Sequence, residues 1–325
     1  MVNTKRSYAI IGTGAIGGLY GARLQQAGHE VHFLLHSDYD HVCKYGISVK
    51  SVDGDIMLPR VNAYADAKDM PKCDVVMVSL KTTNNHLLAD ILPHVTKKDG
   101  IVLLMQNGLG EEEKISAICP DACIIGGLAF ICSNKVGPGS INHIDFGHVH
   151  IAEFNSQYLA AGITDNLKAI ESDFTESGTK IEALEDLTYA RWRKLVWNIP
   201  FNGLTVLLGA TTDRLMADKS SAMIAEELME EVVAGAAGFE REIGRRFIDT
   251  MLDYTRKMKP YKPSMLLDYE HGKMMEIEAI YSNPIQAATS RGVDMPTTKM
   301  LYRSLCFLQS TCNNCVADTA NKSAH

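Results

Sequence analysis

The sequence has no basic block and no long apolar run. Net charge is −7 over 325 residues, and nothing in it clusters Lys and Arg as the phosphates of a nucleic acid would require. No stretch approaches the ~20 apolar residues of a membrane span. Lys5 and Arg6 precede an apolar segment, but residues 10–24 are interrupted by glycines. That segment reads as a strand and a turn rather than a signal sequence, so the expected location is cytoplasmic. No His/Cys/Asp/Glu group has metal-ligand spacing, and no metal is expected. The eight cysteines are then expected to be reduced thiols, small core or half-buried residues for the most part. Cys312 and Cys315 have clip spacing but no second pair, and read as two chance thiols in a tail. Internal repeats and low-complexity blocks are absent. Past Asp186, strand signals nearly vanish.

What is present points to two domains. Hydrophobic content of 46% and charge content of 22% are ordinary for a globular chain of this length. Residues 8–28, YAIIGTGAIGGLYGARLQQAG, combine a short buried strand, a G-x-G-x-x-G turn and a helix stopped near Gly28. The spacing has a chemical reason. Gly12 allows the tight turn, Gly14 lets a pyrophosphate approach the backbone, and Gly17 lets the helix pack on the sheet. Free N–H groups at the helix start then face the phosphates. The turn Gly12, Thr13, Gly14, Ala15, Ile16, Gly17 is therefore the candidate cofactor loop. A second strand, 30–35, ends in the polar turn His36-Ser37-Asp38, where a cofactor ribose would sit.

Further strands are expected at 73–80, 101–105 and 122–126, a hairpin around Asp53-Gly54, and a helix over 83–95. Residues 128–152 read as an antiparallel extension of the sheet. Helical periodicity then covers 187–208, 220–246, 249–258, 276–291 and 297–309, with Asp218 and Ser220 as candidate N-caps. The fold class is α/β: a Rossmann-type dinucleotide-binding domain over 1–185, followed by an all-helical domain over 186–325 whose tail from about 314 is expected to be disordered.

Ligands of open α/β sheets bind beyond the carboxyl ends of the strands. Lys81 and Asn107 lie just past two of those ends. In the helical half, Lys194, Asn198 and Asn202 fall at i, i+4 and i+8, on one face of an otherwise apolar helix. Pro200 lies between the two asparagines and threatens that alignment.

The ordered set IGTGAIGG, LKTTNN, QNGLG, WRKLVWNIPFNGLT and PSMLLDYEHGKMMEIEAI resembles the ketopantoate reductase (2-dehydropantoate 2-reductase) family over almost the whole chain. The resemblance implies NADPH-dependent reduction of ketopantoate to pantoate, in pantothenate biosynthesis. It implies that Lys194 is the catalytic lysine and Glu276 the active-site carboxylate. Asn198, Asn202 and Ser264 match substrate-holding positions, Asn107 a position near the nicotinamide, and Lys81 one near the adenosine phosphate. Ser264 also suits a helix N-cap. A lysine aimed at the ketone would stabilise the developing alkoxide and give it a proton.

Two departures from the family bear on detail. His36 stands where the family typically has an Arg to grip a 2′-phosphate. Yet no Asp or Glu sits at that strand end to hold a free 2′-hydroxyl, and Asp38 comes about two residues too late; with Lys81 retained, NADPH is favoured over NADH. Trp197 and Pro200 stand where the family is often smaller or aliphatic, and a bulky ring there would favour a different keto acid. The expected partner is a small-molecule keto acid, with a homodimer possible. The alternatives are a reductase of another 2-keto acid or opine-like substrate, and a dinucleotide-binding sensor without turnover.

Overall fold

The computed structural model describes residues 5–322, with side chains described to 311. The chain divides into two units, Met1–Asn107 with Glu111–Ala190, and Gly108–Gly110 with Arg191–His325. The division falls inside a helix, a few residues past the boundary expected at 185. The polar tail from about 314 and the Cys312/Cys315 pair lie outside the residues with described side chains.

The first unit is a mixed sheet. In chain order it contains β1 (Ser7–Ile11), α1 (Ala15–Gln26), β2 (Glu30–Leu34), α2 (Tyr39–Tyr45), β3 (Ile47–Ser51), β4 (Ile56–Leu58), β5 (Asn62–Tyr64), β6 (Cys73–Val78), α3 (Leu88–Val95), β7 (Thr96–Leu104), α4 (Glu111–Ile118), β8 (Cys123–Gly137), β9 (Ser140–Glu153), α5 (Asp165–Glu176) and β10 (Ile181–Ala183). The strand order is β4-β3-β9-β8-β7-β6-β1-β2-β5, with β10 paired to β9. From β8 through β5 every neighbouring pair is parallel, and β8–β9 and β3–β4 are antiparallel. The near-continuous apolar runs of β1, β6 and β7 follow from this, because helices cover both faces of a parallel sheet. One face packs Tyr8, Ile10, Phe33, Val75, Met77 and Leu103. The other packs Ala9, Ile11, Val76, Val78, Val102 and Leu104.

Two expectations for this unit change in detail. The strand at 122–126 and the extension after it are one strand, β8, returning as β9 through a turn at Gly139 (φ +59°). The helix expected over 83–95 begins as a 3₁₀ turn, Thr82–Leu87, before α3. Of the cysteines, Cys73 and Cys119 are buried, whereas Cys43 and Cys306 are exposed.

The second unit is helical: α6 (Leu187–Leu208, entering from the first unit), α7 (Thr212–Ala217), α8 (Lys219–Ala237), α9 (Arg245–Lys257), α10 (Ser264–Glu270), a π-helical turn Glu278–Ser282, α11 (Asn283–Ser290) and α12 (Pro296–Lys322). Asp218 is the N-cap of α8, its Oδ1 accepting the Ser221 N–H at 2.9 Å. The single helix expected over 220–246 instead stops at Gly238, and Glu240 (φ +59°) turns the chain before α9. α6 continues through Pro200, although the ring donates no bond to the preceding turn. The buried Tyr281 hydroxyl donates to the neighbouring Ile199 C=O at 2.9 Å. Among the described residues, no helix is long and apolar enough to cross a membrane.

Candidate active site

In the first unit the three motif glycines have three separate reasons to be glycine. Gly12 has φ +98°, and a Cβ on it would lie 2.5 Å from the Leu80 backbone nitrogen, so the turn touches the end of β6. A Cβ on Gly17 would lie 2.3 Å from the Gly12 carbonyl oxygen, so α1 packs against its own entry turn. Around Gly14, by contrast, no atom lies within 4 Å of where its Cβ would be. A side chain there would meet nothing of the protein and would fill space a phosphate needs. Gly14 precedes α1 without a side-chain cap, and the helix's first turn, Ala15 and Ile16 included, has no acidic residue to compete with an anion. The Thr13 hydroxyl donates to Leu34 O at 3.1 Å, tying the turn to the end of β2. The Ser79 hydroxyl, at the end of β6, is buried with no hydrogen-bond partner among the described residues. This donor set fits a dinucleotide phosphate.

At the end of β2, His36 is exposed. Asp38 is buried and fully engaged. It accepts from Lys135 at 2.6 Å, from the Gly139 N–H at 2.9 Å and from the Ser37 hydroxyl at 3.2 Å. Burial pushes its carboxyl pKa up, but the bonds from Lys135 and Gly139 outweigh this and hold it below its usual value. Its Oδ2 is thus committed to the β8–β9 turn and its approach, and its Oδ1 accepts from Ser37. Lys81 flanks the 3₁₀ turn after β6, and Asn107 follows β7 and Gln106; both are partly buried.

In the second unit α6 runs unbroken through Lys194, Asn198 and Asn202. Asn198 is 7% exposed, Asn202 4% and Glu276 7%. Three polar groups so buried are costly unless something bonds to them, and the Asn202 Oδ1 has no partner among the described residues. Glu276 is inside while Glu278, two residues on, is exposed. Lys194 keeps some surface, yet its ammonium is perturbed down to about 7. Withdrawal from water is the largest cause and the charge of Arg191, one turn earlier on α6, adds to it; Glu276 pulls the other way. Arg191 is itself buried and was not singled out from sequence, although its i−3 spacing from Lys194 is the signal that would find it.

Ser264 departs from its expected cap role. Pro263 is the N-cap of α10, Ser264 is its first residue, and the hydroxyl is exposed without a capping bond. The Trp197 ring is committed elsewhere on the helical unit. Its Nε1–H donates to the Thr255 hydroxyl on α9 at 3.0 Å, and the ring packs on Phe201 and Tyr261 with centroids 5.0 and 6.4 Å away. No group of three or more His, Cys, Asp or Glu suited to a metal occurs among the described residues.

A glycine turn with room for a phosphate on a parallel sheet, followed by a helical unit with a perturbed lysine on the helix that carries two buried amides, is the arrangement of a dinucleotide-dependent oxidoreductase. The chain belongs to the ketopantoate reductase family. The family described as Ketopantoate reductase PanE/ApbA matches residues 8–156, and its C-terminal counterpart matches residues 186–309. A 2-dehydropantoate 2-reductase of Nostoc sp. is 56% identical over 304 residues, covering 94% of this chain and 95% of the relative. Among solved structures, the 2-dehydropantoate 2-reductase of Geobacter metallireducens superposes with a TM-score of 0.87 at 37% identity, covering 92% of this chain and 98% of that one. The Methylococcus capsulatus enzyme of the same description gives 0.86 at 32%, covering 94% and 97%.

Proposed function

We propose that this protein reduces 2-dehydropantoate to pantoate with NADPH. The observation that carries the reading is Lys194, a lysine perturbed to about 7 within electrostatic reach of buried Glu276, on the helix that also carries buried Asn198 and Asn202. A proton donor works best with a pKa near the working pH, and a solvated lysine lies far above it. The bound reduced nicotinamide supplies a hydride to the keto carbon. Lys194 holds the carbonyl oxygen by its ammonium and gives that oxygen a proton, leaving a neutral amine to be reprotonated from solvent. Glu276 keeps the ammonium charged against Arg191 and burial. Asn198 and Asn202 orient the hydroxy-keto acid through amide hydrogen bonds that add no net charge, and Ser264 adds a hydroxyl from the start of α10.

The first unit holds the dinucleotide. Gly12, Thr13, Gly14, Ala15, Ile16 and Gly17 receive the pyrophosphate, Lys81 after β6 lies near the adenosine phosphate, Asn107 after β7 lies near the nicotinamide, and His36 lies at the ribose end. NADPH is favoured because no Asp or Glu sits at the end of β2 to hold a free 2′-hydroxyl, and Asp38, two residues past His36, is buried and bonded to Lys135 and the Gly139 N–H. A cytoplasmic homodimer acting in pantothenate biosynthesis completes the reading.

The test is consumption of NADPH and of NADH by purified protein across a panel of 2-keto acids. The highest kcat/KM is expected with ketopantoate and NADPH. Better turnover of another 2-keto acid replaces the substrate, and a preference for NADH replaces the cofactor. Nucleotide binding with no turnover of any keto acid makes the protein a sensor.

A further inference from the structure

Two sequence motifs contain amides to which the proposed function gives no role: Asn85 in LKTTNN and Gln106 in QNGLG. In the fold they meet. Gln106 Nε2 donates to Asn85 Oδ1 at 2.7 Å, and Asn85 Nδ2 donates back to Gln106 Oε1 at 3.2 Å. The second hydrogen of each amide is also used. Gln106 Nε2 donates to the Leu80 C=O at 2.6 Å, and Asn85 Nδ2 to Glu111 Oε2 at 2.6 Å. Glu111 is 5% exposed, at the start of α4, and its other oxygen accepts from Lys114 at 3.0 Å. Gln106 is 4% exposed. The network therefore spends all four amide hydrogens inside the first unit.

Its place in the chain gives it a purpose. Leu80 immediately precedes Lys81, and Gln106 immediately precedes Asn107. We propose that the reciprocal Asn85–Gln106 amide pair, seated on Glu111, is a positioning element that locks together the loops after β6 and β7 and so fixes Lys81 and Asn107 for the dinucleotide. Neither amide is assigned a contact with cofactor or substrate; both act through their neighbours. A fully satisfied, partly buried network of this kind fixes one geometry, and a half-satisfied one does not. The inference rests on the first unit being the dinucleotide site.

The experiment is a double-mutant cycle read by NADPH affinity from nicotinamide fluorescence, with thermal melting and the pH profile of kcat as controls. Asn85→Ala and Gln106→Ala are each expected to weaken NADPH binding about tenfold, and the double variant little more than either single one, because the pair acts as a unit. The pH dependence of kcat, set by Lys194, stays where it is. Should an alanine variant not fold, Asn85→Leu and Gln106→Met, which keep the volume, add no charge and lose the amide groups, are read in the same way. Unchanged NADPH affinity in both singles overturns the proposal, as do penalties that simply add. A wild-type protein that binds no nicotinamide nucleotide brings down the functional reading and this proposal together. One that binds NADPH normally, with single variants that bind equally well, brings down the positioning role alone.

Discussion

Lys194 is where the chemistry and the cost of folding meet. Its folded-state pKa, about 7, lies below the ordinary lysine value of 10.5, so between these two pH values the unfolded chain binds a proton that the folded chain releases. The destabilisation is complete below pH about 7 and is relieved as pH rises toward the unfolded value. Lys194→Met is therefore expected to raise the melting temperature at pH 6, in the usual trade of activity against stability. With Lys194 as the proposed proton donor, the same pKa governs turnover. For the free enzyme, kcat/KM for reduction should fall as pH rises through about 7, where the donor loses its proton. Arg191→Met removes a like charge and should move that fall to higher pH, and Glu276→Gln should move it lower. A pH–rate series on the three proteins checks both directions. No sequence pattern shows this perturbation. The i, i+4, i+8 stripe is legible, but whether a helix lysine is solvated depends on what packs around it, and the burial that separates Glu276 from Glu278 is likewise a property of the fold.

At the scale of elements, the glycine turn makes a prediction that separates binding from folding. Gly17→Ala forces a Cβ to 2.3 Å from the Gly12 carbonyl and should cost roughly 1–3 kcal/mol of stability. Gly14→Ala meets no protein atom, so it should melt near wild type yet bind NADPH at least about tenfold more weakly, if the phosphate occupies that space. Melting curves and nucleotide titrations on the two variants make the comparison. The strand–turn–helix around these glycines was legible because its signals are local: an apolar run, fixed glycine offsets and a helix stop. α6 was legible for the same reason, and the observed bounds are those its periodicity predicts. Elements whose ends are set by backbone conformation read less well. The helical pattern runs on past Gly238, and only the turn at Glu240 divides α8 from α9. The π-helical turn after Glu276 has the same composition as a plain helix. The Asn85–Gln106 pair joins residues in separate loops, and no spacing rule links them.

Taken whole, the molecule divides its labour. In the proposed reading a parallel sheet with a glycine turn receives the dinucleotide, and the helical unit carries a perturbed lysine on the helix of two buried amides. The first half alone would be compatible with binding and no turnover; the proposed role of Lys194 in the second is what adds turnover. The direct test is to compare wild type with Lys194→Ala for NADPH binding and for ketopantoate-dependent NADPH oxidation. The account predicts unchanged NADPH affinity and a kcat reduced by about 10²–10⁴-fold, the range for loss of a general acid. A variant that turns over ketopantoate at the wild-type rate would contradict it.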